Sequence, residues 1–406
     1  MGKKKIIIFN YYMYIGGAES ALLGLLNAID YTKYDVDLFL AMHVGEFMPL
    51  IPKEVNLLPE NSRYAGYACP LKKVLFSKDF MIGLARLNAK RKFLNYVKIK
   101  GVAESAASFQ YVVREMMPYL PEINPTKEYD LAISFIAPHN IVAEKVKAKK
   151  KICWIHTDYS VVDVNAEQEL PVWAAYDNVV SISPDVTRTF LQVFPSLKNK
   201  IVEMENILSP EFVRRRAGKL DISEEMPNTD NTINILSIGR YCYQKNLDSI
   251  PDICHRVNSL LFSLHSSFLI KWFIIGYGED ESLIRQKITE CCMEDQVIIL
   301  GKKTNPYPYI SACDLYVQPS RYEGKSVTVR EAQMLYKPVV VTNYPTASSQ
   351  IKDGVDGIIV PMDNEGCAEG IVEIINNQAR QNVIIDYLKS HDYGNEAEVE
   401  KLYELI

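Results

Sequence analysis

Nowhere in the 406-residue chain is there an uncharged apolar run of about 18 residues, so no membrane-spanning helix is expected. Cysteines at CxxC spacing are also missing, which argues against a structural zinc site. The eight cysteines, Cys69, Cys153, Cys242, Cys254, Cys291, Cys292, Cys313 and Cys367, are scattered. Several sit inside apolar runs such as Lys151-Ile-Cys-Trp-Ile155, which suits reduced, buried thiols of a cytosolic protein. An excess of basic charge is lacking too. Lys and Arg number 45 against 50 Asp and Glu, a net charge of −5, which speaks against general nucleic-acid binding. With only 19 Gly and 20 Pro, and 48% hydrophobic residues, the composition excludes fibrous and disordered classes. The opening Met1-Gly-Lys-Lys-Lys5 and Ile6-Ile-Ile-Phe9 imitate a signal peptide, but the apolar stretch is too short and reads as a first buried strand.

What is present is alternation. A chain of this length exceeds what one core usually organises, roughly 250–300 residues, so two domains are expected. Short β-rich apolar runs alternate with helix-length segments, the signature of parallel sheets with helical crossovers. Strands are predicted at 5–9, 36–42, 131–136, 151–155, 179–182 and 201–204, then at 233–238, 271–275, 297–300, 315–318, 339–342 and 357–360. They make two doubly wound Rossmann-like lobes, expected to face each other across a cleft. Pro210, Pro227, Asn228 and Asn231 interrupt a charged stretch between Asn206 and Thr232, which reads as a linker. The predicted division is 1–206, 207–380 and terminal helices at 381–406 that return toward the first domain.

Doubly wound sheets bind ligands at the carboxyl ends of their strands, so the loops after each strand carry the candidate chemistry. After the first strand, Ile15-Gly-Gly-Ala-Glu-Ser20 precedes an apolar periodic helix. Gly16 and Gly17 either form a tight structural turn or let the backbone approach an anion at a helix start. After 233–238 comes Gly239-Arg240 and then Tyr241-Cys-Tyr-Gln-Lys-Asn246. Arg240 and Lys245 there are either a solvated basic loop or a pair of cations for a diphosphate. Ile274-Ile-Gly-Tyr-Gly278 places Gly276 and Gly278 at the next strand end. The densest signal is Ser320-Arg-Tyr-Glu-Gly-Lys-Ser-Val-Thr-Val-Arg-Glu331, where Glu323 lies in a loop and Glu331 two turns into a helix. That helix opens near Lys325 or Ser326 and directs free N–H groups at the same crevice. His156, in Trp154-Ile-His-Thr-Asp158, and His139, in Ala137-Pro-His-Asn140, also follow strands, with Asp158 a lesser candidate. Asp35-Val-Asp37 imitates a metal-binding DxD, but it opens a strand away from the ligand edge and reads as structural.

In these residues the chain resembles the family 4 (group 1) glycosyltransferases of GT-B fold. The similarity runs through Gly16-Gly17, Gly239-Arg240, Lys245-Asn246, Gly276 and Gly278, Glu323-x7-Glu331, Lys337-Pro-Val-Val-Val-Thr342 and Asp353-Gly-Val-Asp-Gly-Ile-Ile359. It implies a retaining transferase that uses a nucleotide-diphosphate sugar, by family habit a UDP-sugar. Arg240 and Lys245 would hold the diphosphate, Glu331 the ribose and Glu323 the donor sugar. Backbone amides of Gly324, Lys325, Ser326 and Val327 would grip sugar and phosphate, with Gly16 and Gly17 near phosphates and acceptor and His156 near the sugar. The leaving phosphate takes the acceptor proton, so no dedicated base, cofactor or metal is expected. Lys325 departs from the family, which more often has an apolar residue there; it either meets an anionic sugar or acceptor, or points to solvent.

The average charge hides a basic block at Leu71–Lys100, with Lys72, Lys73, Lys78, Arg86, Lys90, Arg91, Lys92, Lys98 and Lys100 against Asp79. Interleaved apolar residues make it either a solvated helix pair or a dock on anionic lipid. The expected partners are therefore a nucleotide-sugar donor and a glycan or polyprenol-linked acceptor of cell-surface polysaccharide synthesis. The expected location is the cytoplasm or the inner face of the plasma membrane. A sugar-nucleotide epimerase on the same scaffold and a non-catalytic, nucleotide-sugar-binding subunit are the competing functions.

Overall fold

The computed structural model describes residues 2–101, 107–157, 159–160, 162–229 and 231–406. The chain forms two compact units, Met1–Leu208 with Asn395–Ile406, and Ser209–Gly394. Among the described residues the first unit holds a seven-stranded parallel sheet. Its strands are β1 (Lys4–Asn10), β2 (Tyr34–Leu40), β3 (Asn56–Leu57), β4 (Tyr129–Ser134), β5 (Ala148–Ile155), β6 (Asn178–Ser181) and β7 (Ile201–Glu203), in the order β3-β2-β1-β4-β5-β6-β7. The second unit holds six: β8 (Thr232–Ile238), β9 (Leu269–Ile275), β10 (Val297–Gly301), β11 (Leu315–Gln318), β12 (Val339–Thr342) and β13 (Ile358–Val360), in the order β10-β9-β8-β11-β12-β13.

Both orders begin at the middle, run outward and then resume on the other side, which is Rossmann topology. The central strands are continuously apolar because helices cover both faces of a parallel sheet. Ile6, Ile7, Ile8 and Phe9 in β1, and Val339, Val340 and Val341 in β12, are all at most 1% exposed. Register is in step along β1 and β2 from Lys4↔Tyr34 to Asn10↔Leu40, and along β8 and β9 from Thr232↔Leu269 to Ile238↔Ile275. In each sheet the strand order reverses between two central neighbours, β1/β4 and β8/β11, so each unit has its crevice at the carboxyl ends of that pair.

The twelve strands expected from sequence are present, and β3 is an addition. It is a two-residue edge too short to leave a pattern, paired Asp37↔Asn56 and Leu38↔Leu57. The strand expected at 131–136 runs from Tyr129 to Ser134, with one more ladder bond beyond it, Phe135 N–H to Phe9 O at 3.0 Å. The stretch that suggested a linker instead carries the Pro210–Ala217 helix, capped by Ser209, whose side chain accepts from Phe212 N. Val213, Ile222 and Met226 of that stretch are buried. The Gln378–Ser390 helix adds Ile384 and Leu388 to the second core, whereas Val399 and Leu402 join the first. There Tyr403 stacks on Tyr34 with ring centroids 4.4 Å apart, and its hydroxyl accepts from Asp30 N. All eight cysteines are unpaired thiols.

Candidate active site

The second unit's crevice is framed by the loops after β8 and β11. Polar contacts stitch them together: Arg321 N–H donates to Gln244 O at 2.9 Å, Gln244 Nε2 to Tyr322 O at 3.1 Å, and Asn246 Nδ2 to Pro319 O at 3.0 Å. Asn246 adopts a left-handed φ of 55°, which asparagine tolerates better than most residues. At the centre, Lys245 Nζ lies 2.5 Å from Glu323 Oε1, and both side chains are largely buried. Ser320 Oγ also donates to Glu323 Oε1, at 2.6 Å. Lys245, expected to wait for a diphosphate, is thus held by the carboxylate expected to wait for a sugar. Arg240, in the same loop after β8, is exposed, with no ion-pair partner among the described residues.

Glycines allow this crowding. The Lys245 stem lies over Gly239, where an added Cβ would meet Lys245 Cγ at 3.2 Å. At Gly276 a Cβ would lie 1.9 Å from Gly239 O, and at Gly278 2.3 Å from Tyr241 O. Tyr241 N donates to Tyr277 O at 2.9 Å and Gly239 N to Ile275 O at 3.0 Å, zipping the two loops. The space a side chain would need at Gly276 and Gly278 is therefore filled by the neighbouring backbone.

The Val327–Met334 helix begins at Ser326, which makes no side-chain cap. Gln350 clamps that residue from both sides, accepting from Ser326 N at 2.9 Å and donating to Ser326 O at 2.6 Å. One expected anion donor, the Ser326 amide, is thereby occupied, while the amides at the first turn of the helix carry no side-chain cap. Thr346 Oγ1 fixes the preceding loop through Glu323 O, and Gly324, Lys325 and Val327 are half-buried. Glu331 is 4% exposed and accepts from Tyr307 OH at 2.8 Å. Burial raises its pKa to about 7, while the Tyr307 hydrogen bond and the Arg216 charge oppose that rise.

In the first unit, Gly16 precedes the Gly17–Ala28 helix with extended backbone and no side-chain cap. A Cβ at Gly17 would meet nothing within 4 Å. His156 follows β5, its ring 4.7 Å from that of Phe135 and its Nε2 buried without a hydrogen-bond partner among the described residues. Burial lowers its pKa to about 4, against an opposing hydrogen bond with the Phe135 backbone. His139 accepts or donates at Ser134 Oγ over 2.8 Å, and burial with the nearby His156 lowers its pKa to about 3. Both imidazoles are neutral at physiological pH. Asp158 lies outside the described residues. Asp35 pairs with Lys3, and buried Asp37 with Lys127, Asn56 and Tyr129, so both carboxylates are engaged at the opposite edge of the sheet. Among the described residues no group of three His, Cys, Asp or Glu is arranged to hold a metal.

Residues 219–391 match the family model for glycosyl transferases group 1, which covers the β8 and β11 loops together. This stretch is similar to the group 1 glycosyl transferases. Among curated relatives, the amylovoran biosynthesis glycosyltransferase AmsD of Erwinia amylovora is 27% identical over 176 residues, 42% of this chain and 47% of that protein. The poly(ribitol-phosphate) alpha-N-acetylglucosaminyltransferase of Staphylococcus aureus is 27% identical over 223 residues, 48% of this chain and 44% of that one. The chain spans about half the length of the curated relatives it matches. Among solved structures, Anabaena HepE in complex with UDP and glucose aligns with a TM-score of 0.69 at 15% identity, covering 99% of this chain and 98% of that one. Staphylococcus aureus TarM in complex with UDP and saccharide ligands aligns at 0.65 and 12%, covering 99% of both. These likenesses establish a GT-B fold of two Rossmann-like domains.

Gln244, Arg321, Thr346 and Gln350, which hold the loops of the second unit, carry no motif in the sequence. Arg321 stacks on Tyr243, guanidinium to ring centroid 4.2 Å, and pairs with Asp248. Its only local signal was a second arginine at a strand end.

Proposed function

We propose that this group 1 chain is a family 4 retaining glycosyltransferase. It moves a sugar from a nucleotide-diphosphate donor, a UDP-sugar, to a glycan or polyprenol-linked acceptor in cell-surface polysaccharide synthesis. The observation that carries this reading is the Lys245–Glu323 pair, 2.5 Å apart where the β8 and β11 loops meet. A diphosphate entering there competes for Lys245, with Arg240 as a second cation and the uncapped start of the Val327–Met334 helix supplying amides. Once displaced, Glu323 is a carboxylate ready to accept from sugar hydroxyls. In the transfer the acceptor oxygen bonds to the anomeric carbon on the face the diphosphate leaves, and its proton passes to the departing phosphate. Lys245 and Arg240 then stabilise the charge that develops on that phosphate, without a metal ion. The names of the relatives, one in amylovoran synthesis and one acting on poly(ribitol-phosphate), favour polysaccharide acceptors, and UDP in HepE and TarM favours uridine.

The test is thermal stabilisation of the purified chain across a panel of nucleotide sugars, followed by transfer to acceptor with and without EDTA. Stabilisation by UDP-sugars and turnover insensitive to chelation are expected. Interconversion of the donor with no acceptor present would indicate an epimerase, and binding without turnover a non-catalytic subunit. A donor bound away from Lys245 and Glu331 would end the assignment.

A membrane dock in the first unit belongs to the same proposal. Phe80, Leu84, Leu87 and Leu94 line one side of the Phe80–Lys100 helix and are 43–55% exposed, while Ile82, Ala85 and Ala89 on the other side are buried. Phe76 is 91% exposed, and Lys72, Lys73, Lys78, Lys90, Arg91, Lys98 and Lys100 surround this stripe. Arg86 does not contribute, because it is spent on the Gly66 and Cys69 carbonyls, and Lys92 pairs with Glu115. Among the described residues no helix is long and apolar enough to cross a membrane, so contact would be peripheral. Equal co-sedimentation with neutral and anionic liposomes would count against it.

A further inference from the structure

The first unit holds a pocket that the donor chemistry leaves unused. It lies at the carboxyl edge of β4 and β5, between the Ala107–Met116 helix and the Ala166–Ala174 helix, and encloses about 490 Å³ with its mouth included. One wall is aromatic: Phe109, Tyr159 and Trp173. The other is polar. Both side-chain atoms of Gln110, and Oε1 of Gln168, are buried with no hydrogen-bond partner among the described residues. Glu169 also lines the pocket, accepting from Trp173 Nε1 at 3.1 Å and Tyr159 OH at 3.3 Å, and the lining residue Arg114 is exposed.

This set of groups restricts the occupant. An apolar ligand would leave three buried amide atoms unpaired, a costly arrangement that native proteins avoid. A simple anion would satisfy Gln110 Nε2 but would face the Gln110 and Gln168 carbonyl oxygens and the Glu169 carboxyl. A hydroxyl both donates and accepts, so a ring bearing several hydroxyls on its edge satisfies acceptors and donor together while its C–H face lies on the aromatic wall. The pocket also continues an aromatic path. Ring centroids step from Tyr14 to Tyr12 over 5.0 Å, to Tyr11 over 5.5 Å, to Tyr67 over 5.6 Å and to Phe109 over 4.7 Å. The path links the loop that leads to Gly16 with the pocket wall.

We infer that this pocket binds one sugar ring of the saccharide acceptor, with Gln110, Gln168 and Glu169 reading its hydroxyls. The inference rests on the transferase reading for the word acceptor, whereas the saccharide chemistry rests on the pocket. Gln110 and Gln168 are binding groups for that ring and take no part in the donor's departure.

The test is saturation-transfer NMR on the full chain with a panel of methyl α-glycosides of glucose, galactose, mannose, N-acetylglucosamine and N-acetylgalactosamine. Uridine and geraniol serve as the nucleobase and apolar rivals. At least one glycoside is expected to receive saturation, with binding additive to that of UDP. Gln110→Leu and Gln168→Leu, close in volume but without an amide, should each weaken it at least tenfold while the ligand-free melting temperature holds or rises. Silence across the glycosides, glycoside binding unchanged in both variants, or occupancy by uridine or geraniol instead would overturn the inference. UDP-induced stabilisation in the same samples reports on the second unit. If UDP stabilises and no glycoside binds, only the pocket assignment falls. If a glycoside binds and UDP does not, the pocket stands as a saccharide site and the transferase reading falls.

Discussion

The two units place their central loops at the same point of the same strand order, yet they line that point differently. In the second unit the loops after β8 and β11 carry Arg240, Lys245, Arg321 and Glu323, and the central contact is a largely buried ion pair. In the first, the loops after β1, β4 and β5 carry edge-to-face tyrosines and two imidazoles held neutral by burial, beside a pocket with amide atoms that have no partner among the described residues. Topology supplies a crevice in both cases. Side-chain chemistry then decides the guest, with cations and a helix start suited to a diphosphate and neutral donors and acceptors suited to hydroxyls.

The comparison breaks most readily at Lys245. Replacement by alanine should lower kcat/KM by about 100- to 1,000-fold, the usual loss when one stabiliser of developing charge is removed. It also leaves Glu323 buried without its cation. The double variant Lys245→Ala, Glu323→Gln should therefore recover melting temperature and not turnover; recovered turnover would exclude a role for Lys245 in catalysis. Next is Gly276→Ala, whose Cβ would sit 1.9 Å from Gly239 O. A loss of about 3 kcal/mol is expected in denaturant unfolding, because backbone on both sides must shift.

Glu331 sharpens the contrast through pH. Its folded pKa is raised from 4.5 to about 7, so the neutral carboxyl is favoured by the fold. The associated stability is fully present below the unfolded value and is lost as pH rises through about 7. Glu331→Gln, which keeps an acceptor for Tyr307, should match the parent near pH 4 and exceed it at alkaline pH by on the order of 3 kcal/mol. A constant difference across the titration would contradict the raised pKa. The smallest effect is predicted for Gly17→Ala, with open space around its Cβ: stability within about 0.5 kcal/mol of the parent. A fall in acceptor or donor affinity with unchanged stability would mark the Gly16-Gly17 turn as a ligand contact, and unchanged affinity would mark it as a turn only.

Much of the fold was legible because buried parallel strands are written as continuous apolar runs. Ile6–Phe9 and Val339–Val341 need no tertiary information to be read. β3 was not legible, since two edge residues carry no period, and the capped Pro210–Ala217 helix was masked by the prolines around it. At the site, the positions of Arg240, Lys245, Glu323 and Glu331 after their strands could be read from spacing. Their partners could not. The Lys245–Glu323 pair, the Gln350 clamp on Ser326 and the Arg321 brace on Tyr243 join segments distant in the chain.

By its residue order the chain determined two Rossmann sheets, the loops that end their central strands, and the residue types available there, because hydrophobic period and strand-end position are local properties. Only the tertiary structure decided which cation meets which carboxylate, that backbone fills the side-chain space at Gly276 and Gly278, and that Gln110 and Gln168 line one pocket. Those are contacts between distant segments. Their energies depend on burial and geometry that exist only once the sheets have assembled.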